Sequence, residues 1–235
     1  MRDDFFTFKQ FRIMHRKSIM KVGTDGVLLG AYTDCDDARR ILDIGTGTGL
    51  LCLMLAQKSS AVIHGIDINA EAVEVAKFNA EQSRWSERIE IFHSSVQDFE
   101  PDEKYDLIVS NPPFYTTDIV APEKGRAIAR HDLTLNIKDL AMAVSRFLSA
   151  EGRCFVIYPT EQCLQFENEV AKVGLYALKR LYISSRSDTP PIRTIVEVGR
   201  KRSEPINDSL YIENETRHDF SERYRQLTKD YYLKF

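Results

Sequence analysis

The stretch Arg40-Ile41-Leu42-Asp43-Ile44-Gly45-Thr46-Gly47-Thr48-Gly49, followed by the apolar run Leu50 to Ala56, constrains the fold more than any other part of the chain. An apolar stretch that ends in a glycine turn and passes into a helix reads as a buried parallel strand feeding the first helix of a doubly wound sheet. Such sheets take their ligands at the carboxyl ends of the strands. Glycine spacing narrows the ligand. A dinucleotide fingerprint wants glycine two and then three residues on, but Leu50 stands at that place and Gly49 comes one residue early. The chain thus departs from the NAD pattern. Backbone free of side chains at Gly45, Gly47 and Gly49 would let a bulky nucleoside lie against it, and Asp43 is an acceptor suited to an ammonium group.

A second unit follows, Ala61 to Asp67 as strand and about Asn69 to Glu81 as helix. Asp67 ends its strand 22 residues after Gly45, where a carboxylate can accept from both hydroxyls of a ribose. His64 reads as a strand residue. Arg88 to His93 predicts the third strand, with Ser94 to Asp98 as the loop at its end. The fourth, Asp106 to Ser110, runs into Asn111-Pro112-Pro113-Phe114-Tyr115. Each proline fixes φ and removes an N–H, and the residue before a proline is pushed to extended backbone, so the Asn111 side chain and the Pro112 carbonyl are held in advance. An exocyclic amine could donate to both while Phe114 stacks on its ring. Taken alone, the same residues also fit an ordinary proline turn.

With 235 residues, 43% of them hydrophobic, the chain can bury the core of one large α/β domain. A net charge of −3 means that any affinity for nucleic acid must come from local patches. Cys35, Cys52, Cys154 and Cys163 form no CxxC pair and no zinc spacing, which favours reduced thiols and no metal. Asp3 and Asp4 sit where a signal peptide would be positive, and no apolar stretch reaches membrane-span length, so the expectation is a cytoplasmic protein. Residues 1–38 read as an N-terminal extension with a short aromatic hairpin. Its run from Lys9 to Lys21 is basic and acid-free, and is either a solvated face or, interleaved with Phe8 and Phe11, a surface for RNA. Thr24 or Asp25 is expected to cap a short helix. Residues 39–200 form the core, with later helices at 137–148 and 160–173 and strands at 152–158, 176–184 and 194–199. Residues 201–235 form a tail with a helix.

Asp43-Ile-Gly-Thr-Gly-Thr-Gly, Asp67 and Asn111-Pro-Pro-Phe together resemble the Rossmann-like S-adenosylmethionine-dependent methyltransferases of exocyclic adenine nitrogens. Phe8-Lys-Gln-Phe11, the stretch Met20 to Ala31 and the ending Tyr224 to Phe235 narrow the resemblance to the bacterial tRNA (adenine-N6)-methyltransferases, which act next to the anticodon of a valine tRNA. The resemblance implies an α/β class I fold, with a seven-stranded, mostly parallel sheet whose last strand is antiparallel and helices on both faces. It implies S-adenosyl-L-methionine over Gly45 to Gly49, contacts from Thr24, Asp43, Asp67, Ile68, Ser95, Val96 and Asn111, and catalysis by Asn111, Pro112 and Phe114 in a monomer. Ser95 departs from the acidic residue many relatives place there. A protein-glutamine methyltransferase, a DNA adenine methyltransferase and a non-catalytic RNA-binding protein are the competing readings. The first usually carries a larger helical region before the glycine loop, the second lacks a separate recognition domain here, and the third leaves Asp43, Asp67 and Asn111 unexplained.

Overall fold

The computed structural model describes residues 4–16, 19, 21–113 and 135–234. An antiparallel hairpin, β1 (Asp4–Thr7) and β2 (Arg12–His15), precedes helix α1 (Thr24–Tyr32). The core then alternates: β3 (Arg40–Ile44), α2 (Leu50–Lys58), β4 (Val62–Asp67), α3 (Ala70–Glu81), β5 (Ile89–His93) and β6 (Tyr105–Ser110). After the segment at 114–134, which lies outside the described residues, come α4 (Ile137–Phe147), β7 (Leu148–Pro159), α5 (Thr160–Lys172), β8 (Tyr176–Arg186) and β9 (Arg193–Gly199). The tail supplies β10 (Ile206–Glu213) and α6 (Glu222–Thr228).

The sheet runs β10-β8-β9-β7-β6-β3-β4-β5, and β9 is antiparallel to both β7 and β8. The seven strands that the sequence predicts are all present, with the seventh reversed as expected. An eighth, β10, corrects the count: it pairs parallel to β8 from Ile206 opposite Lys179 to Glu213 opposite Arg186. Half-exposed and carrying Asn207, Asp208 and Ser209, it shows neither an apolar run nor a clean alternation, so no local pattern marks it. Its addition covers an edge of unpaired backbone.

Alternation along each strand divides the core. Ile41, Leu107, Val109, Phe155, Ile157 and Ile195 share one apolar cluster with residues of α1 and α2. Leu42, Ile44, Ile108, Val156 and Val196 share a second with residues of α4 and α5. The register places Asp43 opposite Gly65 and Val109, and Asp67 opposite His93, so four strand ends meet along one edge. Helix α3 starts where the sequence suggests, since Asn69 accepts from the N–H groups of Glu71 and Ala72.

Two expectations for the N-terminal segment are corrected. Gly23, not Thr24 or Asp25, is the N-cap of α1, and Asp25 instead pairs with Arg193 Nε at 2.9 Å. Phe8 and Phe11 are 2% and 7% exposed, with rings stacked at 4.7 Å, so neither is offered to a base. Within the basic run, Arg16 donates to Glu74 at 3.0 Å and Lys9 Nζ reaches the Lys229 carbonyl. Lys17 lies outside the described residues. Burial of the aromatics follows from the tail, for Tyr232 packs on Phe6 and Phe8. No described helix is long and apolar enough to cross a membrane, and no metal-ligating cluster occurs among the described residues.

Candidate active site

Gly45, Gly47 and Gly49 all adopt positive φ, at 75°, 56° and 79°, which closes a tight turn between β3 and α2. A methyl group built on Gly45 or Gly47 would meet nothing within 4 Å, so the turn faces open space as bare backbone. Gly49 has a different reason to be glycine. A methyl there would stand 3.4 Å from the Ala76 backbone, and this close approach lets α2 and α3 pack.

Asp43 lies under this turn, wholly buried. Its Oδ2 accepts the Thr46 hydroxyl at 2.7 Å, while Oδ1 has no hydrogen-bond partner among the described residues. Burial pushes the carboxyl up to about 7, against the lowering effect of the Thr46 and Cys52 hydrogen bonds. Asp67 has both oxygens committed to backbone: Oδ2 accepts from Gly47 N–H and Oδ1 from Asn69 N–H, each at 2.9 Å. It therefore pins the glycine turn to the end of β4, and its remaining lone pairs point wherever those two donors leave room.

Asn111 follows the last residue of β6. Ser110 Oγ donates to the Ile44 carbonyl at 2.7 Å and so ties that end to β3. The Asn111 Oδ1 is buried with no partner among the described residues, and Pro112 is buried behind it. Helix α1 supplies the facing wall. A methyl on Gly26 would stand 3.0 Å from the Leu50 side chain and 3.7 Å from Asn111 Nδ2, so Gly26 makes room for Leu50 and lies beside the amide. Thr24, exposed at the start of α1, lies in the same turn of helix.

The remaining candidates are more peripheral. Ile68 is 43% exposed just beyond Asp67, and Val96 is buried. Ser95 Oγ donates to Asp98 Oδ2 at 2.6 Å and accepts from Asp98 N–H at 3.1 Å, so an acid does stand at this corner, held by the serine. Phe114 lies outside the described residues. Thr46, Ser110 and the Asp25–Arg193 pair are contributors that sequence reasoning missed. Only Thr46, three residues after Asp43, carried a local signal, as a hydroxyl able to turn back on that carboxylate.

The fold matches solved methyltransferases. A predicted O-methyltransferase from Agrobacterium tumefaciens superposes with a TM-score of 0.68 at 18% identity, over 88% of this chain and 96% of that one. The Thermus thermophilus 16S rRNA N2 G1207 methyltransferase in complex with AdoMet and guanosine gives 0.60 at 17% identity, over 85% of this chain and 50% of that one. These likenesses show the Rossmann-like class I fold. Residues 18–150 match the methyltransferase small domain. Two curated relatives bear the same name, tRNA1(Val) (adenine(37)-N6)-methyltransferase. That of Parabacteroides distasonis is 40% identical, over the whole of both chains, and that of Phocaeicola vulgatus is 42% identical over 99% of each. The chain belongs to this family of S-adenosylmethionine-dependent N6-adenine methyltransferases.

Proposed function

We propose that the chain methylates the exocyclic N6 of adenosine 37, beside the anticodon of a valine tRNA, as the names of its relatives describe for them. It is read as a single-domain monomer working in the cytoplasm, where its RNA would be found. The observation that carries the reading is the buried Asn111 Oδ1, without a partner among the described residues, on a proline-fixed loop. Buried polar atoms in native proteins are nearly always hydrogen-bonded, so this acceptor fits a donor brought by a ligand, and an amine with two N–H groups supplies one.

S-adenosylmethionine supplies a methyl group already activated by its sulfonium. The bare turn at Gly45 to Gly49 fits it, with Asp43 as the nearby negative charge for its ammonium group and Asp67 for its ribose. Ile68, Ser95 and Val96 border its adenine, and Thr24 closes the site from α1. Asn111 Oδ1 and the Pro112 carbonyl accept the two N6 hydrogens and draw them from the ring plane, which localises the nitrogen lone pair for in-line attack. Transfer of the sulfonium's methyl group would leave the nitrogen cationic and its proton would pass to water, so the chain need supply no strong base. Phe114 stacks on the extruded adenine and offsets part of the cost of flipping it, roughly a few kcal/mol.

Labelled methyl transfer into total tRNA, rRNA, DNA and peptide, followed by nucleoside and amino-acid analysis, tests the assignment. Label is expected in tRNA as N6-methyladenosine. Label confined to DNA adenine or to a glutamine side chain would replace it with one of the competing activities.

A further inference from the structure

A cleft of about 650 Å3 opens between the N-terminal hairpin and the tail, walled by Phe6, Phe220 and Tyr232 and rimmed by Arg217, His218 and Lys234. Its volume falls within the range of small-ligand pockets. The three rings are half-buried, and Phe220 is braced by the buried Tyr224, with ring centroids 5.2 Å apart and planes at 24°. Arg217 and Lys234 are exposed, and neither is held in an ion pair among the described residues. Glu213, the one acid on the wall, is turned toward backbone, accepting His218 N–H at 2.8 Å.

His218 has φ 68°, and among the described residues no other non-glycine adopts positive φ. Its turn is fixed from within, by Asn214 N–H to the Asp219 carbonyl at 2.7 Å and Asp219 N–H to the Thr216 carbonyl at 3.2 Å. Strained backbone enforced by its surroundings is a mark of functional loops, and here it presents Arg217 and His218 to the cleft. Gly23 and Thr24 line the same cleft, while Gly26, less than one helical turn further on, stands beside Asn111. The cleft and the catalytic amide thus share the first turn of α1.

We propose that this cleft is a second nucleotide subsite, which takes the unpaired base adjoining the methylated adenosine, stacks it on the aromatic wall and holds its phosphate with Arg217 and Lys234. The proposal rests on the tRNA activity argued above. Drawing the target adenine out of a stacked loop leaves its neighbour without a stacking partner. Half-exposed rings beside cations that no described acid pairs are the surface that single-stranded RNA uses for that purpose.

The test is a coupling measurement with the full chain, its bound product S-adenosylhomocysteine and an anticodon stem-loop RNA. One form of the RNA is intact, and two carry an abasic nucleotide on the 5′ or the 3′ side of the target. Phe220→Leu should weaken binding of intact RNA by roughly 5- to 150-fold. It should cost nothing further on the RNA that lacks the neighbouring base, because the stacking partner is already gone. Equal losses on all three RNAs would overturn the subsite. Arg217→Gln serves if Phe220→Leu fails to bind S-adenosylhomocysteine and so to fold. It should lower the slope of log K against log salt by about one, and an unchanged slope would also overturn the proposal. Wild-type protein that labels N6 while showing no coupling removes the subsite alone. Absence of N6 label from every RNA removes the activity and the subsite together.

Discussion

Asp43 uses its two oxygens differently: one is occupied by Thr46, and the other is buried without a partner among the described residues. Because burial raises the folded carboxyl from 3.8 to about 7, the folded state holds its proton where the unfolded chain has already released it. Stability from this group is therefore fully present below pH 3.8 and is lost as pH rises toward 7. Asp43→Asn should flatten that decline, which urea midpoints measured from pH 4 to pH 7 would show. The same residue should couple to cofactor binding. An ammonium group over the glycine turn favours the carboxylate, so binding at pH 6 should release a proton and strengthen as pH rises. Titration calorimetry in buffers of different ionisation enthalpy reads that proton directly, and heats independent of buffer would separate Asp43 from the ammonium site.

At the scale of elements, the glycine turn and the docked hairpin are set by different kinds of information. The β3 turn, the end of β4 and the Asn-Pro-Pro loop were legible because their chemistry is written in consecutive residues. Asn79 left no such trace. Its side chain accepts Met14 N–H at 2.9 Å and donates to the Thr48 carbonyl at 2.9 Å, joining hairpin, α3 and glycine turn across sequence separations of 65 and 31. Asn79→Ala should lower stability by roughly 2–4 kcal/mol, since it leaves buried backbone groups unsatisfied. Chemical unfolding will measure this. Gly49→Ala should cost about 1–2 kcal/mol through its left-handed backbone alone, with further loss from the contact with Ala76. The Asp25–Arg193 pair, 168 residues apart, and β10 were hidden for the same reason as Asn79, because only tertiary contact gives them meaning.

Across the whole molecule, a net charge of −3 leaves RNA attraction to the cations that no internal acid has claimed. Several cations are claimed in this way: Arg16 by Glu74, Arg180 by Glu167, Arg193 by Asp25 and Lys179 by Glu197. Lys124, Arg126 and Arg130 lie outside the described residues. Replacing Arg16 by Ala should accordingly leave the salt dependence of tRNA binding unchanged. A slope reduced by about one would return the N-terminal run to the RNA surface. The tail packs over the hairpin, with Lys9 N–H donating to the Tyr231 carbonyl at 2.8 Å, and the two line a cleft together with Gly23 and Thr24 at the start of α1. On the proposed function, what the molecule would deliver to the reaction is one oriented acceptor at Asn111. The most direct measurement is the single-turnover rate of Asn111→Ala on unmodified tRNA, alongside its affinity for S-adenosylmethionine. Loss of a transition-state contact predicts a rate lower by roughly 10²–10³-fold with cofactor affinity unchanged. Methylation at the wild-type rate would show that Asn111 is a turn residue and that the amine is held elsewhere.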